Sequence, residues 1–274
     1  MNIAFSILAF PNIDPIAFSI AGLVVRWYAL AYMIGIIGGW KYITWLDKRS
    51  NQPILSKTHI DDMMLWGVLG VVLGGRIGYV VFYNLPYYLN NPLDALKIWQ
   101  GGMSFHGGAL GVIFVFYLFA RKYKIPYVQL MDRICCAVPI GLFFGRIANF
   151  INGELYGRVS DFPLAIVFPH GGALARHPSQ LYEALLEGAV LFAVLTWLAV
   201  RRNMLRQSQQ GIISGTLLFG YGLARFIIEY VREPDAHIGL LFGFISAGQV
   251  LCLPMIIVGA WLIFFMKRGE MKTN

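Results

Sequence analysis

The sequence predicts an all-α fold, a polytopic bundle of about seven membrane-spanning helices forming one integral-membrane domain over residues 1–274. Three observations predict it. Hydrophobic residues make up 58% of the chain and charged residues 13%, against about 45–50% and about 25% in soluble domains. A chain so apolar cannot cover a water-facing surface with polar groups, so the excess faces lipid. The apolar residues also fall in long runs rather than in the alternating segments of an outer-membrane barrel. Finally, the basic residues sit in short clusters between the runs, as in the cytoplasmic loops of membrane proteins. The net charge of +8 is therefore a topology signal, and nucleic acid is not expected as a partner.

The spans are expected at about 20–45, 62–83, 104–121, 129–151, 178–200, 211–231 and 245–266, each near the length that crosses a hydrocarbon layer. Four clusters hold 12 of the 22 basic residues: Lys48, Arg49, Lys57; Arg121, Lys122, Lys124; Arg201, Arg202, Arg206; and Lys267, Arg268, Lys272. Loops on the other side hold Lys97, Arg158, Arg176 and Arg232. With seven spans, this asymmetry places the N-terminus outside and the C-terminus in the cytoplasm. Two long segments, 84–103 and 152–177, then lie outside, punctuated by prolines. The first fifteen residues contain no Lys or Arg and so lack the n-region of a cleaved signal peptide. Cys135, Cys136 and Cys252 lie in apolar stretches with no C-x-x-C pair, so neither a zinc nor a redox site is indicated.

Charged side chains within spans are costly, and each is a functional candidate by default. Arg146 and Asn149 share a helical face, Asn152 continues it, and Glu154 follows where Gly153 and Gly157 let the backbone turn. Arg225, Glu229 and Arg232 are spaced four and three apart, again on one face. One reading makes Arg225–Glu229 and Arg146–Glu154 structural ion pairs. The other makes the two arginines a phosphate site, because a guanidinium fork binds phosphate oxygens bidentately and stays charged.

Gly101-Gly102-Met103-Ser104-Phe105-His106-Gly107-Gly108 stands at the outer end of the third span. Its four glycines allow close approach by a ligand or by another backbone. Histidine can trade a proton near neutral pH, although at a membrane edge it also serves as an interface residue. Tyr28 fits an aromatic belt. Ser179 can cap the fifth span, and Gln180, Glu183 and Glu187 form a polar stripe toward the bundle. His59, His170 and His237 are read as loop residues. No H-E-x-x-H, nucleophile elbow or magnesium-type acid cluster is present, so a metal-free reaction, or binding alone, is expected.

Gly145-Arg146-x-x-Asn149-Phe150-x-Asn152-x-Glu154-x-x-Gly157 resembles the signature of bacterial prolipoprotein diacylglyceryl transferases. Further blocks agree in order along nearly the whole chain: Trp27-Tyr28, the glycine stretch ending at Gly108, Arg176 to Glu183, and Arg225-x-x-x-Glu229-x-x-Arg232-Glu233-Pro234-Asp235. The resemblance implies a seven-span enzyme of the bacterial inner membrane, working at its outer face. Such an enzyme moves the diacylglyceryl group of phosphatidylglycerol onto the lipobox cysteine of a prolipoprotein signal peptide and releases glycerol phosphate. It implies no cofactor, no metal and no nucleophilic cysteine of its own.

In that chemistry Arg146 and Arg225 suit the leaving phosphate, and His106 is the candidate base for the acceptor thiol. An imidazole titrates about two units below a free thiol, so the transfer is uphill by about 2.7 kcal/mol unless nearby cations also stabilise the thiolate. Tyr28, Asn149, Asn152 and Glu154 are candidates for orienting the lipid head group or the arginines, with Gly157, Glu229 and Arg232 in support. A transporter using the same arginines would show an internal repeat with broken helices, and none is visible. A purely structural scaffold leaves the glycine-flanked histidine unexplained.

The expected topology is checked by cysteine labelling. An impermeant reagent added outside should modify a cysteine placed at Asp161 and fail to modify one placed at Lys122; labelling of Lys122→Cys from outside reverses the orientation.

Overall fold

The computed structural model describes residues 8–11, 13–20, 22–233, 240–241 and 245–266. The basic cluster Lys267, Arg268 and Lys272, and likewise Pro234, Asp235 and His237, lie outside the described residues. In chain order the elements are β1 (Leu8–Ala9), β2 (Ile16–Ile20), β3 (Leu23–Arg26), α1 (Trp27–Arg49), α2 (Lys57–Phe82), α3 (Leu85–Asn90), α4 (Phe105–Tyr123), α5 (Tyr127–Ile151), β4 (Ile166–Val167), α6 (Ser179–Glu183), α7 (Leu191–Val200), α8 (Ile212–Ile228), β5 (Leu240–Leu241), β6 (Ile245–Ser246) and α9 (Ala247–Phe264). A π-helical stretch, Ala184–Val190, joins α6 to α7 without a break. The fold is mostly helical, as expected. Among the described residues the strands are short and pair in three two-stranded sheets: β1 with β4 in parallel, β2 with β3 and β5 with β6 antiparallel.

Among the described residues, five helical segments are long and apolar enough to cross a membrane: Lys57–Phe82, Tyr127–Ile151, Ser179–Val200, Gln207–Ile228 and Ala247–Phe264. Two more helices, α1 with 23 residues and α4 with 19, occupy the positions of the other two expected spans. The first span begins later than the sequence suggested. Ile16–Ile20 and Leu23–Arg26 pair as the antiparallel strands β2 and β3, with Gly22 between them at φ +83°, and α1 starts only at Trp27. A short apolar run rich in Ile and Val satisfies both periods, and hydropathy alone does not separate a hairpin from a helix start. His59 is likewise not in a loop. It lies in the first turn of α2 and completes a capping box: His59 N donates to Ser56 Oγ (3.1 Å) and Ser56 N to His59 Nδ1 (3.3 Å).

The chain divides into two compact units, residues 1–52 with 132–274, and residues 53–131. In the second unit α2 packs along α4. Leu65, Leu69, Leu73 and Ile77 repeat every four residues on an exposed face of α2, which suits lipid. Gly70, Gly74 and Gly78 repeat every four on the face toward α4. A Cβ on Gly74 would lie 2.4 Å from the Gly107 carbonyl oxygen, and one on Gly107 would lie 2.4 Å from that of Gly74. Between membrane helices, where hydrophobic collapse offers no drive, such small-residue faces let the backbones meet and gain van der Waals contact. The glycines around His106 thus serve, at Gly107, the approach of another backbone.

Arg76 of α2 is buried and holds the segment that leads into α4. Its Nε donates to Ala95 O (2.8 Å), Nη1 to Gly101 O (2.6 Å) and Gly102 O (3.1 Å), and Nη2 to Asp94 O (2.7 Å). Its guanidinium also lies 5.3 Å from the Tyr88 ring centre. In the same segment Asp94 pairs with Lys97 (2.6 Å) and accepts from Tyr87 Oη (2.6 Å). Those hydrogen bonds, Lys97 first, hold the Asp94 carboxyl below the usual carboxylate range. A buried cation satisfied by several carbonyls of one segment fixes that segment's path.

In the first unit a core of Leu46, Cys135, Cys136, Leu191, Leu195, Leu205, Ile213 and Leu217 is flanked by two buried carboxylates. Asp47 pairs with the fully buried Arg133 (Nε–Oδ1 2.5 Å), whose Nη2 donates to Gln52 O (2.6 Å). Asp132 accepts from Gly211 N (2.7 Å), Ser214 N (2.9 Å) and Ser214 Oγ (2.6 Å). It satisfies the N-terminal amides of α8, whose preceding Gly211 has no side chain to do so.

The glycine packing is directly testable. Gly74→Val should lower the thermal midpoint in detergent by an amount corresponding to roughly 1–3 kcal/mol, the usual cost of overpacking. Gly67→Ala should be near neutral, because its Cβ would meet only Phe116 at 3.5 Å. An unchanged midpoint for Gly74→Val would remove the close-approach reading.

Candidate functional site

The end of α5, the α6–π–α7 helix and the end of α8 bring three guanidinium groups to one carboxylate. Arg146 of α5 reaches Glu183 of α6 (Nε–Oε2 2.7 Å). Arg225 of α8 reaches the other oxygen of Glu183 (Nη1–Oε1 2.9 Å) and also Glu229 (Nη2–Oε1 2.8 Å). Arg232, just past α8, lies 3.3 Å from Glu183 Oε1 and 3.8 Å from Glu229 Oε1. Glu187, in the π-helical stretch one turn on from Glu183, stands 3.6 Å from Arg146 Nη2. Glu229 accepts a further hydrogen bond from Ser246 Oγ (2.8 Å), which also caps α9 together with Gln249. Glu183 and Glu187 are 0% exposed, while the three arginines keep 12–17% of their side chains accessible. Charges on separate apolar helices persist because they compensate one another, and the cationic side of the cluster is the reachable one.

Loop structure places Arg232. Gly157 N donates to His177 O (2.8 Å) and Arg158 N to Val231 O (2.8 Å). A Cβ on Gly157 would lie 2.4 Å from Val231 O, so only glycine lets the segment after α8 run against this strand-like stretch. Arg158 Nε adds a bond to Arg232 O (2.9 Å), and Arg176 ties Gly157 O (3.2 Å), Gly171 O (2.9 Å) and Glu233 (2.9 Å) together. His177, half-buried here, has its imidazole pushed down by that burial.

The site differs from the sequence reading in its pairings. The Arg225–Glu229 pair forms. The Arg146–Glu154 pair of the structural-pair alternative does not. Glu154 instead accepts from Asn149 Nδ2 (2.9 Å) and Asn152 Nδ2 (3.3 Å), and its carbonyl accepts from the buried Gln180 Nε2 (2.6 Å). These residues close the turn after α5 and lock it to the start of α6, one turn before Glu183. The reason is the turn itself: with Gly153 and Leu155 both at positive φ, the chain folds back within three residues of Asn152. Tyr28 stays apart. Its hydroxyl lies 3.5 Å from that of Tyr32 and their rings meet edge to face. His106 lies exposed in the first turn of α4, within residues 53–131, after Ser104, whose Oγ accepts from Gly107 N (3.2 Å).

Glu183 and Glu187 are the functional candidates the sequence reading passed over. It placed them on a polar stripe without a role. Two carboxylates four apart in an otherwise apolar span carried the same signal as Arg146 and Arg225.

Stability should report the shared acceptor. Glu183→Gln should destabilise the protein by about 3–5 kcal/mol, because it removes the buried charge that three partly buried cations share. Glu154→Gln, at an exposed carboxylate, should cost less than about 1 kcal/mol. Chemical or thermal unfolding in detergent decides it; equal losses for the two variants would contradict the network.

A family model described as prolipoprotein diacylglyceryl transferase matches residues 15–265. The chain is 54% identical over 264 residues to the phosphatidylglycerol–prolipoprotein diacylglyceryl transferase of Paramagnetospirillum magneticum, covering 96% of this chain and 97% of that protein. It is 52% identical over 264 residues to the protein of the same name from Sinorhizobium medicae, with 94% of each covered. It is 50% identical over 264 residues to that of Rhodospirillum rubrum, with 96% of each covered.

Proposed function

We propose that this chain, which belongs to the prolipoprotein diacylglyceryl transferase family, transfers the sn-1,2-diacylglyceryl group of phosphatidylglycerol to the thiol of the lipobox cysteine of prolipoproteins, the first step of bacterial lipoprotein maturation. A carbon–sulfur bond forms and the bond from the lipid glycerol carbon to a phosphate oxygen breaks. Glycerol phosphate leaves with the electron pair, and the thiol proton passes to a base. The protein is a multi-pass membrane protein. In our reading it crosses the bacterial inner membrane seven times, N-terminus outside, with its active site toward the outer leaflet.

The observation that carries the residue roles is the convergence of Arg146, Arg225 and Arg232 on Glu183 among apolar helices. Negative charge grows on the phosphate as the carbon–oxygen bond breaks. Preorganised cations in a poorly hydrated site stabilise it without reorganising. Arg146 keeps 17% of its side chain accessible, the most of the three arginines, so Arg146 meets the phosphate most directly. Arg225, bridging Glu183 and Glu229, acts beside it, with Arg232 in support. Asn149, Asn152 and Glu154 form the wall at the end of α5, and Tyr28 orients the head group from the first turn of α1. His106 is the base for the acceptor thiol.

Mass spectrometry tests the reading. Purified protein with phosphatidylglycerol and a lipobox-cysteine peptide should yield the diacylglyceryl thioether and glycerol phosphate in equal amounts; an unmodified peptide, from folded protein, would overturn it. Arg146→Lys and Arg225→Lys keep the charge but lose the fork, and each should slow turnover by about 10²–10³-fold in protein that still folds. His106→Gln should slow it by about 10²–10⁴-fold. A loss under tenfold with an unchanged pH profile would remove the base role.

A further inference from the structure

The carboxylates of the cluster are not equally provided for. Glu183 meets guanidinium nitrogens at 2.7, 2.9 and 3.3 Å. Glu229 meets Arg225 at 2.8 Å and the Ser246 hydroxyl at 2.8 Å. Glu187 has only Arg146 Nη2 at 3.6 Å, beyond hydrogen-bond distance. Both of its oxygens are buried without a hydrogen-bond partner among the described residues. The titratable and charged groups facing Glu187 are Arg146 from α5, Glu183 from its own helix, Tyr221 and Arg225 from α8, Arg232 after α8, and Cys252 from α9. None supplies a donor to it within hydrogen-bond distance. Burying an ionised carboxylate without donors is costly, whereas a protonated one carries its own donor. Glu187 also sits in a π-helical stretch, a backbone form that recurs at functional positions.

We infer that Glu187 is a positioning residue that carries a proton in the resting enzyme, so that Arg146, Arg225 and Arg232 outnumber the ionised carboxylates Glu183 and Glu229 by one. That surplus positive charge draws the phosphate diester of the lipid to the cluster. Ionised, Glu187 would neutralise it and compete for Arg146. The inference rests on the phosphate role proposed for the arginines. Because it concerns binding rather than the thiol, it separates from the chemistry of deprotonation.

The test uses the whole chain in lipid nanodiscs. The infrared difference spectrum of wild type minus Glu187→Gln at neutral pH should show the carbonyl stretch of a protonated carboxyl, and the wild-type band should vanish on raising the pH. Over the same pH range the KM of wild type for phosphatidylglycerol should rise about tenfold or more, as a new negative charge appears beside Arg146, while that of Glu187→Gln stays flat. A difference spectrum showing only ionised carboxylate at neutral pH overturns the inference. So does a wild-type KM that does not follow the band, or a variant KM that rises equally. If Glu187→Gln does not fold, the wild-type band titration set against wild-type KM decides between the same outcomes. Absence of turnover, with the band titrating as expected and directly measured phosphatidylglycerol binding weakening over the same pH range, would count against the transferase chemistry and leave the inference standing.

Discussion

Charge in an apolar bundle has to be compensated from within, and the pairing of Arg146, Arg225 and Arg232 with Glu183 and Glu229 organises this protein. Arg146, Arg225 and Arg232 come from the ends of two helices and the residue run beyond one of them, Glu183 and Glu187 from a third helix. No single helix could carry its own charges into lipid at tolerable cost. Assembled, the ions fix how α5, α6–α7 and α8 meet, because each geometry must leave Glu183 within reach of all three guanidinium groups. The same arrangement leaves the cationic edge accessible and the anionic side sealed. The proposed phosphate site is thereby a consequence of the way the helices are held together.

The rest of the first unit protects that geometry. Asp132 terminates α8 by accepting its orphan amides, and Asp47 with Arg133 anchors the far end of α5. At the other end, the Asn149–Glu154–Gln180 bonds stitch α5 to α6, and the pairing around Gly157 sets Arg232. Each contact satisfies a buried polar group, and each constrains one of the elements that carry the cluster. In the second unit the logic is different. Backbone-to-backbone packing at Gly74 and Gly107 and the carbonyl ligands of Arg76 set the segment before His106. Arg76 needs no carboxylate partner there because carbonyl dipoles meet its charge.

For lipid chemistry this arrangement has a physical merit. A leaving phosphate gains charge in a medium that solvates it poorly, and preformed cations replace the missing water. Their cost was met when the protein folded, by the glutamates. Binding and stability therefore draw on the same ion pairs, and a substitution at Glu183 is expected to disturb both.

Hydropathy and the spacing of basic residues were enough to identify a multi-span helical protein, and the lone charges within apolar runs were enough to single out Arg146, Arg225, Glu229 and Arg232. Those signals are local: a span is about 20 apolar residues, and a charge within one is conspicuous wherever the chain goes. Partner choice was not local. Glu154 is eight residues from Arg146 yet bonds Asn149 and Asn152, while Glu183, thirty-seven residues away, takes the guanidinium, because the turn after α5 folds Glu154 back and helix packing brings α6 alongside. The glycines flanking His106 fitted a ligand or a backbone equally well in sequence, and only the approach of α2 to α4 decided for the backbone at Gly107. The start of α1 at Trp27, rather than seven residues earlier, was settled by strand pairing that a short apolar run does not distinguish from a helix. Sequence alone determined which residues had to be hidden from lipid; tertiary structure decided from whom each received its compensation, because that depends on distances between helices that no spacing along the chain encodes.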